Sequence, residues 1–86
     1  ALQAVLVLLK SQEENLITSG ISIVSAILKA GYDLVTDEND VNPYVEHLME
    51  NGIVSQLEEL QNHPSEEIYE QVAKTLEKYF HLEEKE

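Results

Sequence analysis

The stretch "NHPSEEIYEQ", residues 62–71, gathers one histidine, three glutamates and a tyrosine within ten positions. These are the groups of general acid–base catalysis: His63 can exchange a proton near neutral pH, and Glu66, Glu67 and Glu70 can take one up or hold a cation. A second pair, His47 and Glu50 in "EHLME", stands three apart. On a helix that spacing holds a metal when a facing helix supplies the same pair. Nucleophiles come down to serines, since cysteine is absent.

Context argues against chemistry in each case. The His47–Glu50 pair has no second copy, and no HExxH occurs, so it reads as a solvent-facing polar pair. No serine sits in a strained GxSxG turn, and the three glycines are too scattered to cradle a phosphate. In the 62–71 stretch, Pro64 biases His63 away from helix and Ser65 can cap the next turn. Glu66 and Glu67 then fall where a helix dipole favours negative charge, and Ile68 and Tyr69 open an apolar stripe. The cluster reads as the start of a helix. No catalytic, cofactor-binding or metal-ligating residue is assigned, and no cofactor is expected.

The elements behind these residues are helical. Hydrophobic residues make up 43% of the 86 positions, too many for a disordered acidic tail. Apolar spacing predicts helices over about 1–10 and 15–35, the second with a stripe of Leu16, Ile17, Ile21, Val24, Ile27, Leu28 and Leu34. Gly20 and Gly31 inside it suit the close approach of a neighbour. Asn42 suits an N-cap and Pro43 the first position of a short helix through Glu50, with Tyr44, Val45, Leu48 and Met49 available for burial. Gly52 can close that helix in the left-handed region. Two more follow, over about 53–61 and from Pro64 onward, and no alternating strand pattern occurs. The expected class is all-α.

Charge narrows the partners. Seventeen acids face five lysines and no arginine, for a net charge of −12. Such a field repels phosphate backbones and attracts basic proteins. The longest apolar run, 4–9, is far short of the roughly 20 residues that span a bilayer. Direct nucleic-acid binding and membrane insertion are therefore not expected, and a soluble, intracellular protein is.

A shift of 52 positions lays Leu2 on Val54, Val5 on Leu57, Leu8 on Leu60, Leu16 on Ile68, Ile17 on Tyr69, Val24 on Leu76 and Ile27 on Tyr79. Each unit is a medium helix, a tight turn and a longer helix, with a short helix between units. That is the plan of an armadillo repeat, whose period is about 40 to 47 residues. The predicted fold is an armadillo-type right-handed α-solenoid fragment of about two repeats. Residues 1–35 are expected to form a penultimate repeat lacking its first helix, 36–42 a loop, 43–82 a terminal repeat and 83–86 an acidic tail.

On the second helix Thr18, Ser22, Ser25, Lys29 and Tyr32 recur at three- and four-residue intervals. Placed opposite the apolar stripe, they would floor a groove for an extended peptide or form an ordinary solvated face. The tail glutamates Glu83, Glu84 and Glu86 can engage lysines of a partner.

The second half resembles the carboxy-terminal armadillo repeats of the importin-α (karyopherin-α) family, the adaptors of nuclear protein import. The matching pieces are Asn42-Pro43-Tyr44, Leu60-Gln61 with His63, Glu67-Ile68-Tyr69, and Glu77 with Tyr79-Phe80. That family reads basic signals with tryptophan and asparagine four apart on its third helices. Here no tryptophan exists, and the corresponding pair is Ser22 and Ala26. The resemblance therefore implies protein contact of the kind made by the last repeats: an export receptor, a nuclear-pore basket nucleoporin, and basic or non-classical cargo. It implies shuttling between nucleus and cytoplasm, and no catalysis. The implied binding surface is the exposed third-helix faces, Ser22, Ser25, Lys29, Tyr32, Glu70, Lys74 and Glu77, with Glu83 and Glu84 of the tail. The alternative is a structural or engineered repeat piece that self-associates without a specific cellular ligand.

Overall fold

Five helices are present in the computed structural model, which describes residues 2–36 and 42–80, the last without its side chain. They are α1 (Leu2–Leu9), α2 (Glu14–Asp33), α3 (Val45–Glu50), α4 (Ile53–Leu60) and α5 (Glu66–Phe80). No strand occurs among the described residues, and no helix there is long and apolar enough to cross a membrane. The protein is all-α, in the armadillo-type arrangement expected.

Two helix pairs are stacked. α1 packs on α2, α4 packs on α5, α1 meets α4 and α2 meets α5, while α3 lies against α4. The 3.6-residue period makes this possible, because Ile17, Ile21, Val24 and Leu28 return to one side of α2, and Ile68, Val72 and Leu76 to one side of α5. Val5 and Leu9 of α1 and Ile53, Leu57 and Leu60 of α4 close the core from the other layer. Burying such a side chain is worth roughly 1.5–3 kcal/mol.

The breaks between helices are built from local chemistry. Ser11 Oγ accepts the Glu13 N–H at 3.0 Å in the turn before α2. Gly52, at φ 79°, occupies the left-handed region and lets α4 follow α3 after a two-residue turn, as expected of it. Asn42 and Pro43 are not the N-cap and first position of α3 as expected, since Tyr44 is the N-cap and the helix begins at Val45; Asn42 instead sets the turn ahead of it. Its Oδ1 accepts the Tyr44 N–H at 2.9 Å, and its Nδ2 donates to the Leu28 carbonyl of α2 at 2.8 Å. Thus one side chain both starts the α3 turn and fastens it to the long helix.

Both glycines of α2 are close-approach sites. A Cβ at Gly20 would lie 3.0 Å from Leu9 Cδ2 of α1. One at Gly31 would collide with Asn42 Oδ1 and lie 2.7 Å from Tyr44 Cδ2. The expectation for these positions holds, and at Gly31 the neighbour is the Asn42 clasp.

Several apolar residues assigned to the core are exposed. Leu16 and Leu34 of the supposed α2 stripe face water, as does Tyr69 in α5. Leu34 is the C-cap of α2 and lies past its last turn. Tyr44 and Met49 are exposed too, because the six residues of α3 turn only one side inward, and Leu48 holds it.

Gly31→Ala is expected to destabilise the protein by about 1–3 kcal/mol through overpacking, despite the roughly 1 kcal/mol alanine gains over glycine in a helix. Urea unfolding of Gly31→Ala, Asn42→Ala and the double variant measures this. The double variant should lose less than the sum of the singles, since removing the Asn42 side chain relieves the collision.

Candidate protein-interaction groove

The contact between α2 and α5 is apolar underneath and polar along its outer edge. Four pairings mark that edge. Ser65 Oγ donates to Glu14 Oε1 at 3.5 Å, and Gln71 Nε2 donates to Ser22 Oγ at 3.3 Å. Ser25 and Thr75 hydroxyls meet at 3.0 Å, and the rings of Tyr32 and Tyr79 meet edge-on, 6.4 Å between centroids at 75°. Thr75 is the one buried polar side chain among the described residues, and its own hydrogen goes to the Gln71 carbonyl at 3.0 Å. Ser25 must therefore supply the hydrogen of the Ser25–Thr75 bond. A buried hydroxyl is tolerable there because both its roles are filled.

The outer edge opens as a groove of about 430 Å³ lined by Thr18, Ser22, Glu67, Glu70, Gln71 and Lys74. Two carboxylates flank one ammonium, so the groove is net negative. Thr18 turns its hydroxyl back to the Asn15 carbonyl at 3.0 Å and offers its methyl. At the Tyr32–Tyr79 end, Lys78 Nζ lies 5.4 Å from the Tyr79 ring centroid, within cation–π range.

The expected binding residues divide accordingly. Ser22, Glu70 and Lys74 line the groove, while Ser25 is half-buried in the contact beneath it. Tyr32 is exposed beside Tyr79, and Lys29 is held in a surface pair with Asp33 at 3.2 Å, an i,i+4 arrangement worth about 0.3–0.5 kcal/mol. Glu77 is exposed on α5 outside the groove lining. Glu83, Glu84 and Glu86 lie outside the described residues. One placement is corrected: the line Thr18–Ser22–Ser25 flanks the core stripe on the α5 side and does not stand opposite it. Gln71, Thr75 and Glu67 were missed. Thr75 carried a usable signal, a polar residue in a position that the 52-residue shift gives to Ile23.

His63 serves local structure. Its Nδ1 accepts the Ser65 N–H at 3.0 Å, and the Ser65 carbonyl accepts the Tyr69 N–H, so the cluster at 62–71 starts α5. The Ser65 hydroxyl goes to Glu14 instead of serving as the expected side-chain cap. His47 and Glu50 are exposed, and among the described residues no three histidine, aspartate or glutamate groups converge on a metal-sized space. His47 instead borders an apolar hollow of about 390 Å³ with Leu2, Ile27, Ala30, Tyr44 and Leu48.

The family model of the atypical Arm repeat matches residues 42–86, just over half of the chain and all of α3, α4 and α5. The chain belongs to the atypical Arm repeat family. Neither a curated protein nor a solved structure gives a match. An Arm repeat is a helical module of the kind used for protein interaction.

Thr75→Val keeps the shape and removes both hydroxyl bonds, with an expected loss of about 0.5–1.5 kcal/mol in urea unfolding. Adding Ser25→Ala to that variant should cost nothing further, because the two hydroxyls act as one unit. A full second loss would show that they contribute separately.

Proposed function

We propose that this protein is a non-catalytic binding module from the carboxy-terminal region of an importin-α-type nuclear import adaptor. Its partners are other proteins: the adaptor's export receptor, a nuclear-pore basket nucleoporin, and basic or non-classical cargo. It works in both nucleus and cytoplasm, and contacts neither nucleic acid nor membrane directly.

The observation that carries this reading is the open, net-negative groove between α2 and α5, in a chain that belongs to the Arm repeat family. Because Ser22 and Gln71 are already hydrogen-bonded to each other, a ligand gains little by competing for them. Glu67 and Glu70 are free to attract lysines, and the small side chains of Thr18 and Ser22 let an extended backbone approach. The importin-α part of the reading is supported by the motifs around Asn42-Pro43-Tyr44 and Tyr79-Phe80 and by the net charge of −12.

Binding is expected to be weak and electrostatic. Titrating the chain with a lysine-rich peptide should give an affinity that falls about tenfold or more as salt rises well above physiological strength, where the screening length drops from about 8 Å toward 3 Å. Glu70→Lys should weaken binding about tenfold. Glu50→Lys on α3, with the same change in net charge, should weaken it far less. Equal losses would mean that net charge alone attracts the peptide. Absence of binding to the importin-α export receptor and to the basket nucleoporin would remove the adaptor reading while leaving the Arm repeat intact.

A further inference from the structure

The groove between α2 and α5 has unlike ends. The contacts across it are Glu14–Ser65, Ser22–Gln71, Ser25–Thr75 and Tyr32–Tyr79, rising together along both helices. α2 and α5 are therefore parallel, with both N-termini at one end and both C-termini at the other. Glu14 and Glu67 stand in the first turns, and Glu70 follows in the next turn of α5. Lys74 comes one turn later, and Lys29, Lys78 and the exposed ring of Tyr32 mark the far end.

The sign of the groove thus changes between Glu70 and Lys74. Helix dipoles favour this order, acids first and lysines last. The state of Lys74 does not follow from the dipoles. It stands four residues after Glu70 and three before Glu77, spacings at which helix ion pairs form. Among the described residues, however, the ion pair is Lys29–Asp33, and Lys74 lines the groove with no carboxylate paired to it. The stretch between the two signs is neutral. Ser22 and Gln71 hold each other at 3.3 Å, and Thr18 has turned its hydroxyl to the Asn15 carbonyl.

A ligand of one sign meets a penalty in such a groove. A purely basic segment satisfies Glu67 and Glu70 and then sets a cation against Lys74. A purely acidic one meets both glutamates and a chain of net charge −12. A segment carrying both signs in the matching order escapes each penalty. Glu67 and Lys74 are seven residues apart on α5, about 10 Å at the helical rise of roughly 1.5 Å per residue. Extended chain covers that span in about three residues.

We infer that the α2–α5 groove takes an extended segment of another protein, one with an acidic residue about three positions from a lysine and small neutral residues between. The lysine binds Glu67 and Glu70, the small residues cross Thr18 and the Ser22–Gln71 pair, and the carboxylate binds Lys74. Resting on the reading of this groove as the binding surface, the assignment makes Lys74 the residue that sets specificity. It selects an acid that the net charge of the chain repels.

The test titrates the complete 86-residue chain with two end-blocked peptides, Gly-Lys-Lys-Thr-Gly-Asp-Gly and the same peptide with Asn in place of Asp. Net charge alone favours the asparagine peptide, which is more positive by one unit. The geometry favours the aspartate peptide, by about three- to fivefold, as a partly exposed ion pair gives. On Lys74→Gln, an exposed position where the fold should be kept, that preference should vanish. Lys10→Gln makes the same change in net charge outside the groove and should leave the preference in place. A preference of the unaltered chain for the asparagine peptide, or an aspartate preference that survives Lys74→Gln, would overturn the inference. So would a dimer in sedimentation that the aspartate peptide dissociates, because the occupant would then be a second copy. If the asparagine peptide binds better while Glu70→Lys still weakens both, the binding surface stands and only the selection by Lys74 falls. If neither peptide binds, both fall.

Discussion

The packing of α2 against α5 is the constraint on which the rest of the structure depends. Two helices that share only an apolar contact can slide or roll; these two are indexed by a hydroxyl pair at Ser25–Thr75 and an edge-on ring pair at Tyr32–Tyr79. The hydroxyl pair sits at the boundary between core and water, where its bonds are completed within the protein and little desolvation is left uncompensated. With the roll of α5 fixed, Glu67, Glu70 and Lys74 project to one side of the contact, and the groove follows. A larger residue at Ser25 would separate the helices and widen the groove, so the small hydroxyl residues determine its shape from beneath.

Acidity is distributed so that the fold tolerates it. Glu14, Glu66 and Glu67 occupy first turns, where the helix dipole stabilises negative charge by roughly 0.3–1 kcal/mol each. Among the described residues the core contains no carboxylate, and its one polar member is Thr75. The repulsion that remains is long-ranged and screened by salt, while the attraction for a basic partner adds over the whole surface. Charge of this kind gives fast encounter more than tight holding.

Helix existence, type and order were legible in the sequence because each is a local property. Apolar spacing and Gly52 at a position needing positive φ act within a few residues of themselves, whereas the Asn42 side chain also reaches the Leu28 carbonyl of α2, which no local pattern announces. The faces were less legible. Leu16 and Ile17 both belong to the apolar pattern of α2, and only the position of α5 decides that Ile17 is covered and Leu16 is not. The same reason hid Gln71 and Thr75, whose partners Ser22 and Ser25 lie some fifty positions away. The line Thr18–Ser22–Ser25 was visible from the sequence as a polar row, and its spacing was right. Its role was misjudged by a rotation of the helix, since a row at the edge of a contact and a row facing open water look alike until the neighbouring helix is placed.

That rotation also explains what kind of information an internal repeat carries. If two units had identical surroundings, counterparts would share their exposure, and any difference would be noise in the sequence. In this chain the differences are systematic: one arc displaced toward each shared neighbour, apolar residues on the bare side of α2 and charged ones on the bare side of α5. Sequence similarity between units records the geometry they share, whereas their chemical difference records what surrounds each. The outer side of α2 carries Leu16 and Ile23 where that of α5 carries Glu70, Lys74 and Glu77, so helices built on one pattern present unlike surfaces.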